Sequence, residues 1–351
     1  MRHLYIIGNG FDLAHGLETS YENFIVWYLG EKLKHIIEKQ GTGIKENDKL
    51  IKIIRNNRGT TVTDVNPEIS CFKDFKEKIE TIESASRLKY NITYTPLLEA
   101  ILNKDGWSDI EKEYYKQMVN QSMLSTRYPI KQLNESFDVL KKEFEIYLRD
   151  EILPKIESKP SIKALDDIFT NEPKNGSKEP IVEEQLFLNF NYTDTLKRYG
   201  SNPYNVNQRI NIHGMVDDTE NPIIFGYGDE MDEHFKKIEN MDDNDYLMNM
   251  KSFGYFQTDN YKKVLSFMNS KDGDFKVHII GHSMGLSDRL LLNTIFEHKN
   301  CKSIEIHFHK LPDGGDDFYR LARNMSRHFN FEMKGSMREK VVPFLESRSM
   351  D

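Results

Sequence analysis

Cysteine is nearly absent: the 351 residues include two, Cys71 and Cys301, set far apart. Such a pair supplies neither a disulfide framework nor a zinc site, which needs closely paired ligands. Both are expected to pack as small hydrophobes in a reducing compartment, so the expected location is cytoplasmic. No run of about 18 apolar residues occurs, so no membrane-spanning helix is expected. The chain opens straight into a short apolar run, without the basic segment and long apolar stretch of a secretory leader. A basic surplus is missing too, the formal net charge being −8. That balance disfavours nucleic acid as a partner, although a local basic patch can hide inside the average. No internal repeat is present. What remains is ordinary for a globular chain, 38% hydrophobic and 30% charged, and long enough for one large domain or two.

Short apolar runs at residues 4–7, 185–188, 209–212, 222–225, 277–280 and 303–308 each stop at Gly, Asn or a polar turn. Strands covered on both faces look like this. Helical patterns lie between several of them, as over 286–298. The alternation predicts an α/β protein with a parallel sheet and ligands at the carboxyl ends of its strands. Between residues 25 and 180 the pattern changes. Phe137, Leu140, Phe144, Tyr147 and Leu148 keep helical spacing, as do Leu50, Ile51 and Ile54. Residues 39–48, 58–69 and 171–180 are polar and read as loops. The expected organisation is an α/β core over 1–25 and 181–310, a mostly helical insertion over 26–180 after the first strand, and a C-terminal helical extension over 311–351.

Four constellations could carry chemistry. The first is GNGFD, with Gly8, Asn9, Gly10, Phe11 and Asp12 where the first strand ends. A glycine turn feeding a helix N-terminus presents free N–H groups, which suits a phosphate; a bare strand-to-helix turn is the competing reading. The next glycine, Gly16, comes too late for GxGxxG, so a plain dinucleotide-dependent dehydrogenase is disfavoured. A carboxylate beside a phosphate repels it, so Asp12 is expected to cap a helix or hold a ribose hydroxyl. Thr19 and Ser20 are expected to start the next helix.

The second constellation is NFNYTD, where Asn189 and Asn191 end a strand ahead of Thr193 and Asp194. An asparagine there can position a ribose or a water, or Asn191 or Thr193 can simply cap a helix. The third is IHG, with His213 at a strand end, a general base near neutral pH or a structural histidine. The fourth is GHSMG, with Gly281, His282 and Ser283. It formally matches the G-x-S-x-G nucleophile elbow of α/β-hydrolases. Its triad partners would be Asp316 or Asp317 and His328, which read as one helix and are poorly placed. A backbone cradle at Gly281, His282 and Ser283, with Ser287 or Asp288 capping the following helix, is the preferred reading.

GNGFD with HGL and SY, then NFNYT, IHG, IIFGYGDE at 223–230 and IIGHSMGLSD resemble, in this order, the AbiH family of abortive-infection proteins. The resemblance runs from near residue 3 to about 296 and skips the insertion; Glu18 departs from the proline that the family's loop usually has. The motif order is also similar, more distantly, to sirtuin-like NAD-binding proteins. That similarity implies a Rossmann-like parallel sheet, with Gly8 and Gly10 against a pyrophosphate and Gly281 and Ser283 against the adenosine half. It makes Asn191 the catalytic asparagine and His213 the catalytic histidine. Asp12 and Thr193 depart from the sirtuin pattern, which puts the cofactor contacts in doubt. Two distant cysteines cannot form the zinc site of sirtuin deacylases, so no metal is expected and the implied activity is cleavage of the nicotinamide–ribose bond. The expectation is a phage-defence protein taking NAD as substrate or ligand. The alternatives are a nucleotide-sensing module without turnover and a serine hydrolase using Ser283. The helical insertion is the expected contact for a second copy or a defence-system partner.

Overall fold

The computed structural model describes residues 1–39, 45–56, 60–62, 65–103, 110–123, 129–170, 184–199, 206–270 and 273–351. Its strands are β1 (Arg2–Ile7), β2 (Lys45–Asn47), β3 (Ile51–Arg55), β4 (Tyr90–Tyr94), β5 (Glu184–Asn189), β6 (Val206–Asn211), β7 (Phe275–Ile280) and β8 (Cys301–His307). The chain divides into two compact units. One comprises residues 1–17, 152–237 and 249–351, the other 18–151 and 238–248. The expected insertion boundaries, 25/26 and 180/181, compare with observed ones at 17/18 and 151/152. The return of 238–248 to the second unit has no signal in the sequence.

The first unit is built on a five-stranded parallel sheet in the order β6-β5-β1-β7-β8. Leu4 and Ile6 point to one face with Leu186, Leu188, Val277, Ile279, Ile304 and Ile306. Helices Asn260–Met268, Arg289–Phe296 and Phe318–Ser326 cover that face with residues such as Phe267, Leu292 and Leu321. Tyr5, Ile7, Phe187 and Ile280 point the other way, under Phe11, Leu165, Phe169 and Tyr199. Burial on both faces is why these strands are continuous apolar runs. Each such side chain contributes roughly 1.5–3 kcal/mol by leaving water. The second face also carries a polar row, His3, His278, Glu305 and His307, all buried. The C-terminal residues close the edge of β8 through bridges of Ile304 with Val341 and Phe308 with Ser349, which blunts an otherwise open strand.

The second unit holds helices Tyr21–Glu38, Phe72–Ser86, Pro96–Leu102, Ile110–Met123 and Ile130–Tyr147. Ser20 starts the first of these as expected, its hydroxyl accepting from the Asn23 N–H at 3.1 Å. Phe137, Leu140, Phe144 and Tyr147 share the buried side of the last.

Three local expectations are corrected. Ile51 and Ile54 lie on β3, the middle strand of a small antiparallel sheet β2-β3-β4, with Leu50 just before it. Three apolar positions in so short a window satisfy both periods, and the β-branched isoleucines suit the strand. Residues 45–47, within an expected loop, form β2. Residues 222–225 form no strand: the Ile224 N–H bonds to the His213 carbonyl at 2.8 Å, and the neighbouring backbone is tied to loops. The expected loop at 171–180 lies outside the described residues. No helix among the described residues is long and apolar enough to cross a membrane.

Candidate functional site

Parallel register sets the place. Ile7 is aligned with Asn189 and with Ile280, and Asn189 with Asn211, so four strands end in one row. Residues one or two positions later, Gly8, Asn191, His213 and Gly281, leave the sheet side by side. The strand order reverses between β1 and β7, the position where open parallel sheets bind ligands.

At that point two glycine loops touch. The Gly8 N–H donates to the Ile280 carbonyl at 2.9 Å and the Gly10 N–H to the Gly281 carbonyl at 2.7 Å. A β-carbon on Gly8 would lie 2.5 Å from His282 Cα, and one on Gly281, whose φ is +64°, 2.2 Å from the Phe11 nitrogen. These glycines are therefore required by the approach of backbone to backbone. Helix Asn9–Ala14 starts directly after Gly8. Asn9 is exposed, whereas Phe11 packs into the apolar cluster with Phe169 and Tyr199.

Asp12 caps no helix. It sits inside Asn9–Ala14, buried, and its Oδ2 accepts the hydroxyl of Thr193. Burial pushes its carboxyl up to about 6, with the Thr193 hydrogen bond pulling the other way. The carboxyl is turned to Thr193, which takes up one of its oxygens. Thr193 and Asn191 are not caps either. Asn191 Nδ2 donates to the Gly8 carbonyl at 3.2 Å, and Asn189 Nδ2 to the Thr193 carbonyl at 2.9 Å. The NFNYT loop is thus strapped to GNGFD.

His213 is 3% exposed and meets a buried charge pair that the sequence reading missed. Its Nε2 lies 3.2 Å from Asp288 Oδ1, and Lys251 Nζ donates to the same oxygen at 2.8 Å. His282 Nε2 lies 3.5 Å from Asp288 Oδ2. Asp288 stands at the start of helix Arg289–Phe296 but makes no cap bond; its side chain belongs to this cluster. Burial alone would raise the Asp288 carboxyl, yet Lys251 and His213 outweigh it and hold it well below the usual range. Burial, with Lys251 adding to it, lowers His213 to about 4, so its ring is neutral at pH 7. Nothing in the run NMKSFGYF marks Lys251 beforehand, because its partner is 37 residues away.

Ser283 is exposed, and its carbonyl accepts from Asn324 Nδ2 at 2.9 Å. The left-handed residues of this turn are Gly281 and Met284, with φ of +64° and +54°, not the serine that a nucleophile elbow would strain. His328 Nε2 bonds the Met284 carbonyl at 2.9 Å, while Asp316 and Asp317 bond the start of helix Phe318–Ser326 and its neighbours. The geometry does not favour a serine triad.

A second polar cluster lies within the sheet. His278, Glu305 and His307 offer ligand atoms within 4.8 Å of one another. Glu305 already faces Lys276 at 2.7 Å and Arg348 at 3.2 Å, so a metal ion would join two cations around one carboxylate. The cluster is poorly suited to a cation.

Comparison with known proteins places these motifs. The family model described as Bacteriophage abortive infection AbiH matches residues 4–310. The chain belongs to the AbiH family. Membership implies a role in abortive infection by bacteriophage. The matched span takes in GNGFD, IHG and GHSMG of this AbiH chain. No curated protein and no solved structure matches the AbiH chain.

Proposed function

We propose that this AbiH protein binds NAD or a related nucleotide at the carboxyl ends of β1, β5, β6 and β7 and hydrolyses the nicotinamide–ribose bond. The observation that carries the reading is the meeting of the two glycine loops with Asn191 and the strand-end His213 on one row of the sheet. The order β6-β5-β1-β7-β8, third, second, first, fourth and fifth along the chain, is that of Rossmann-like dinucleotide folds and supports it. Asn191 donates through Nδ2 to Gly8, which leaves its Oδ1 to accept from a ribose hydroxyl or the attacking water. In the reaction a water oxygen bonds to the ribose anomeric carbon. The carbon–nitrogen bond breaks, nicotinamide leaves as a neutral ring with the electron pair, and neutral His213 takes the water's proton. A positioned base of this kind contributes about 10²–10⁴ in rate.

The test is nicotinamide release from NAD by the purified chain. His213→Ala is expected to lower turnover by about 10²–10⁴-fold. Equal turnover in the variant, or none in the wild type, overturns the assignment. Tight NAD binding without release would favour nucleotide sensing, a reading that the deep burial of His213 also suits.

A further inference from the structure

Two histidines share one carboxylate across the ring of Phe190. His213 and His282 both meet that ring edge-on, with centroids 4.9 and 4.5 Å away. Their Nε2 atoms lie 3.2 and 3.5 Å from the two oxygens of Asp288. They differ at the other nitrogen. His282 Nδ1 accepts from the Met284 N–H at 2.9 Å, so its hydrogen must sit on Nε2 and its lone pair is already used. His213 Nδ1 makes no hydrogen bond among the described residues. Lys251, 1% exposed, supplies the charge that keeps Asp288 ionised in this dry setting.

The IIFGYGDE run explains how the lysine gets there. The Lys251 N–H donates to the Tyr227 carbonyl at 3.0 Å, and the Tyr227 N–H to the Asn249 carbonyl at 3.1 Å. A β-carbon on Gly226 would lie 2.1 Å from the Asn249 oxygen, and one on Gly228 2.8 Å from the Ser287 oxygen. Only glycines let these segments close until Lys251 reaches Asp288.

We propose that Asp288, held ionised by Lys251, is a positioning residue: it takes the Nε2 hydrogens of His213 and His282 and leaves the Nδ1 lone pair of His213 as a free imidazole base among the described residues. The role of that base rests on the hydrolase reading; the tautomer does not. A carboxylate that fixes an imidazole's tautomer in this way is a general device of acid–base catalysis. The groups facing His213 include Asp288, Lys251, His282, the Tyr255 hydroxyl, which lies 3.4 Å from Nε2, and Tyr192, whose ring stacks on the imidazole with centroids 6.1 Å apart.

The experiment is long-range nitrogen–proton spectroscopy of the full chain with ring-labelled histidine, assigned with His213→Gln and His282→Gln. At pH 7.5, chosen about one unit above the ordinary histidine value, both residues are expected as the neutral Nε2–H form. A neutral Nδ1–H form of His213, with Tyr255 donating to Nε2, overturns the proposal whether or not the protein hydrolyses NAD. In Asp288→Asn the His213 tautomer is expected to redistribute, and nicotinamide release to fall by about 10²–10⁴-fold in kcat with little change in KM. An unchanged tautomer and unchanged kcat in this variant overturn the proposal. Should Asp288→Asn fail to fold around an unpaired Lys251, the double variant Asp288→Asn with Lys251→Met removes both charges and is read the same way. A wild type with the expected tautomer but no nicotinamide release sinks the hydrolase reading and leaves the positioning role standing.

Discussion

Two buried clusters in the first unit use the same parts to different ends. One sets Asp288 against Lys251, His213 and His282 at the carboxyl ends of the strands. The other sets Glu305 against Lys276, Arg348, His278 and His307 on the strands themselves. In the second, histidines bond to one another, His3 Nδ1 to His278 Nε2 at 2.9 Å and His278 Nδ1 to His307 Nε2 at 3.0 Å, so both nitrogens of the middle ring are taken by other rings. In the first, each histidine bonds separately to one carboxylate, and among the described residues His213 keeps a nitrogen unshared. Residue chemistry alone does not separate a reactive cluster from a structural one. Position in the sheet does.

The comparison breaks most readily at the carboxylates. Glu305→Gln strips the counter-charge from Lys276 and Arg348 and is expected to lower stability by about 3–5 kcal/mol, as for a broken buried pair. Urea denaturation measures this, and a loss under about 1 kcal/mol would show that solvent, not Glu305, satisfies those cations. The same variant, where folded, should leave KM for NAD unchanged, because Glu305 lies on the strands and not beyond their ends.

A smaller effect is expected from acid. Burial lowers His213 from 6.5 to about 4 and His3 from 6.5 to about 3. Below pH 6.5 the unfolded chain therefore takes up protons that the folded chain refuses, and stability falls as pH drops from about 6.5 towards 4. Melting temperature between pH 7 and pH 5 should decline; a flat profile contradicts it.

Asp12 shifts the other way and provides the mildest test. Its folded value of about 6 exceeds the ordinary 3.8, so stability from its bound proton is present below pH 3.8 and lost as pH rises through 6. Asp12→Asn keeps the neutral form and is expected to gain about 1–3 kcal/mol at pH 8, at about 1.4 kcal/mol per unit. That gain should fade towards pH 4. Urea titrations at both values measure it; a loss at pH 8 would mean that the fold stabilises the ionised carboxylate.

Much of the core was legible because its strands are buried on both faces: residues 4–7, 185–188, 209–212, 277–280 and 303–308 fall on the five observed strands with small shifts at the ends. The run 222–225 misled because burial alone makes an apolar segment, and Ile223, Ile224 and Phe225 are buried without pairing in the sheet. Ile51 misled for the opposite reason, its strand being too short to display a period. At the site, Asn191, His213 and Gly281 were legible as polar or glycine residues closing apolar runs. Asp288 was read as a helix start, which it is by position, while its side chain is engaged elsewhere.

By itself the sequence determined the family, the parallel core and the row of strand ends, because apolar runs closed by Gly, Asn and His are local patterns. It also located the glycine turns at Gly8, Gly10 and Gly281. Only the tertiary structure decided what those glycines are for: Gly8, Gly10 and Gly281 let two loops touch, and Gly226 and Gly228 let Lys251 reach Asp288. Close approach and charge pairing join residues tens to hundreds of positions apart. Local periodicity carries no trace of them, since the force that selects each residue comes from a neighbour that only folding brings near.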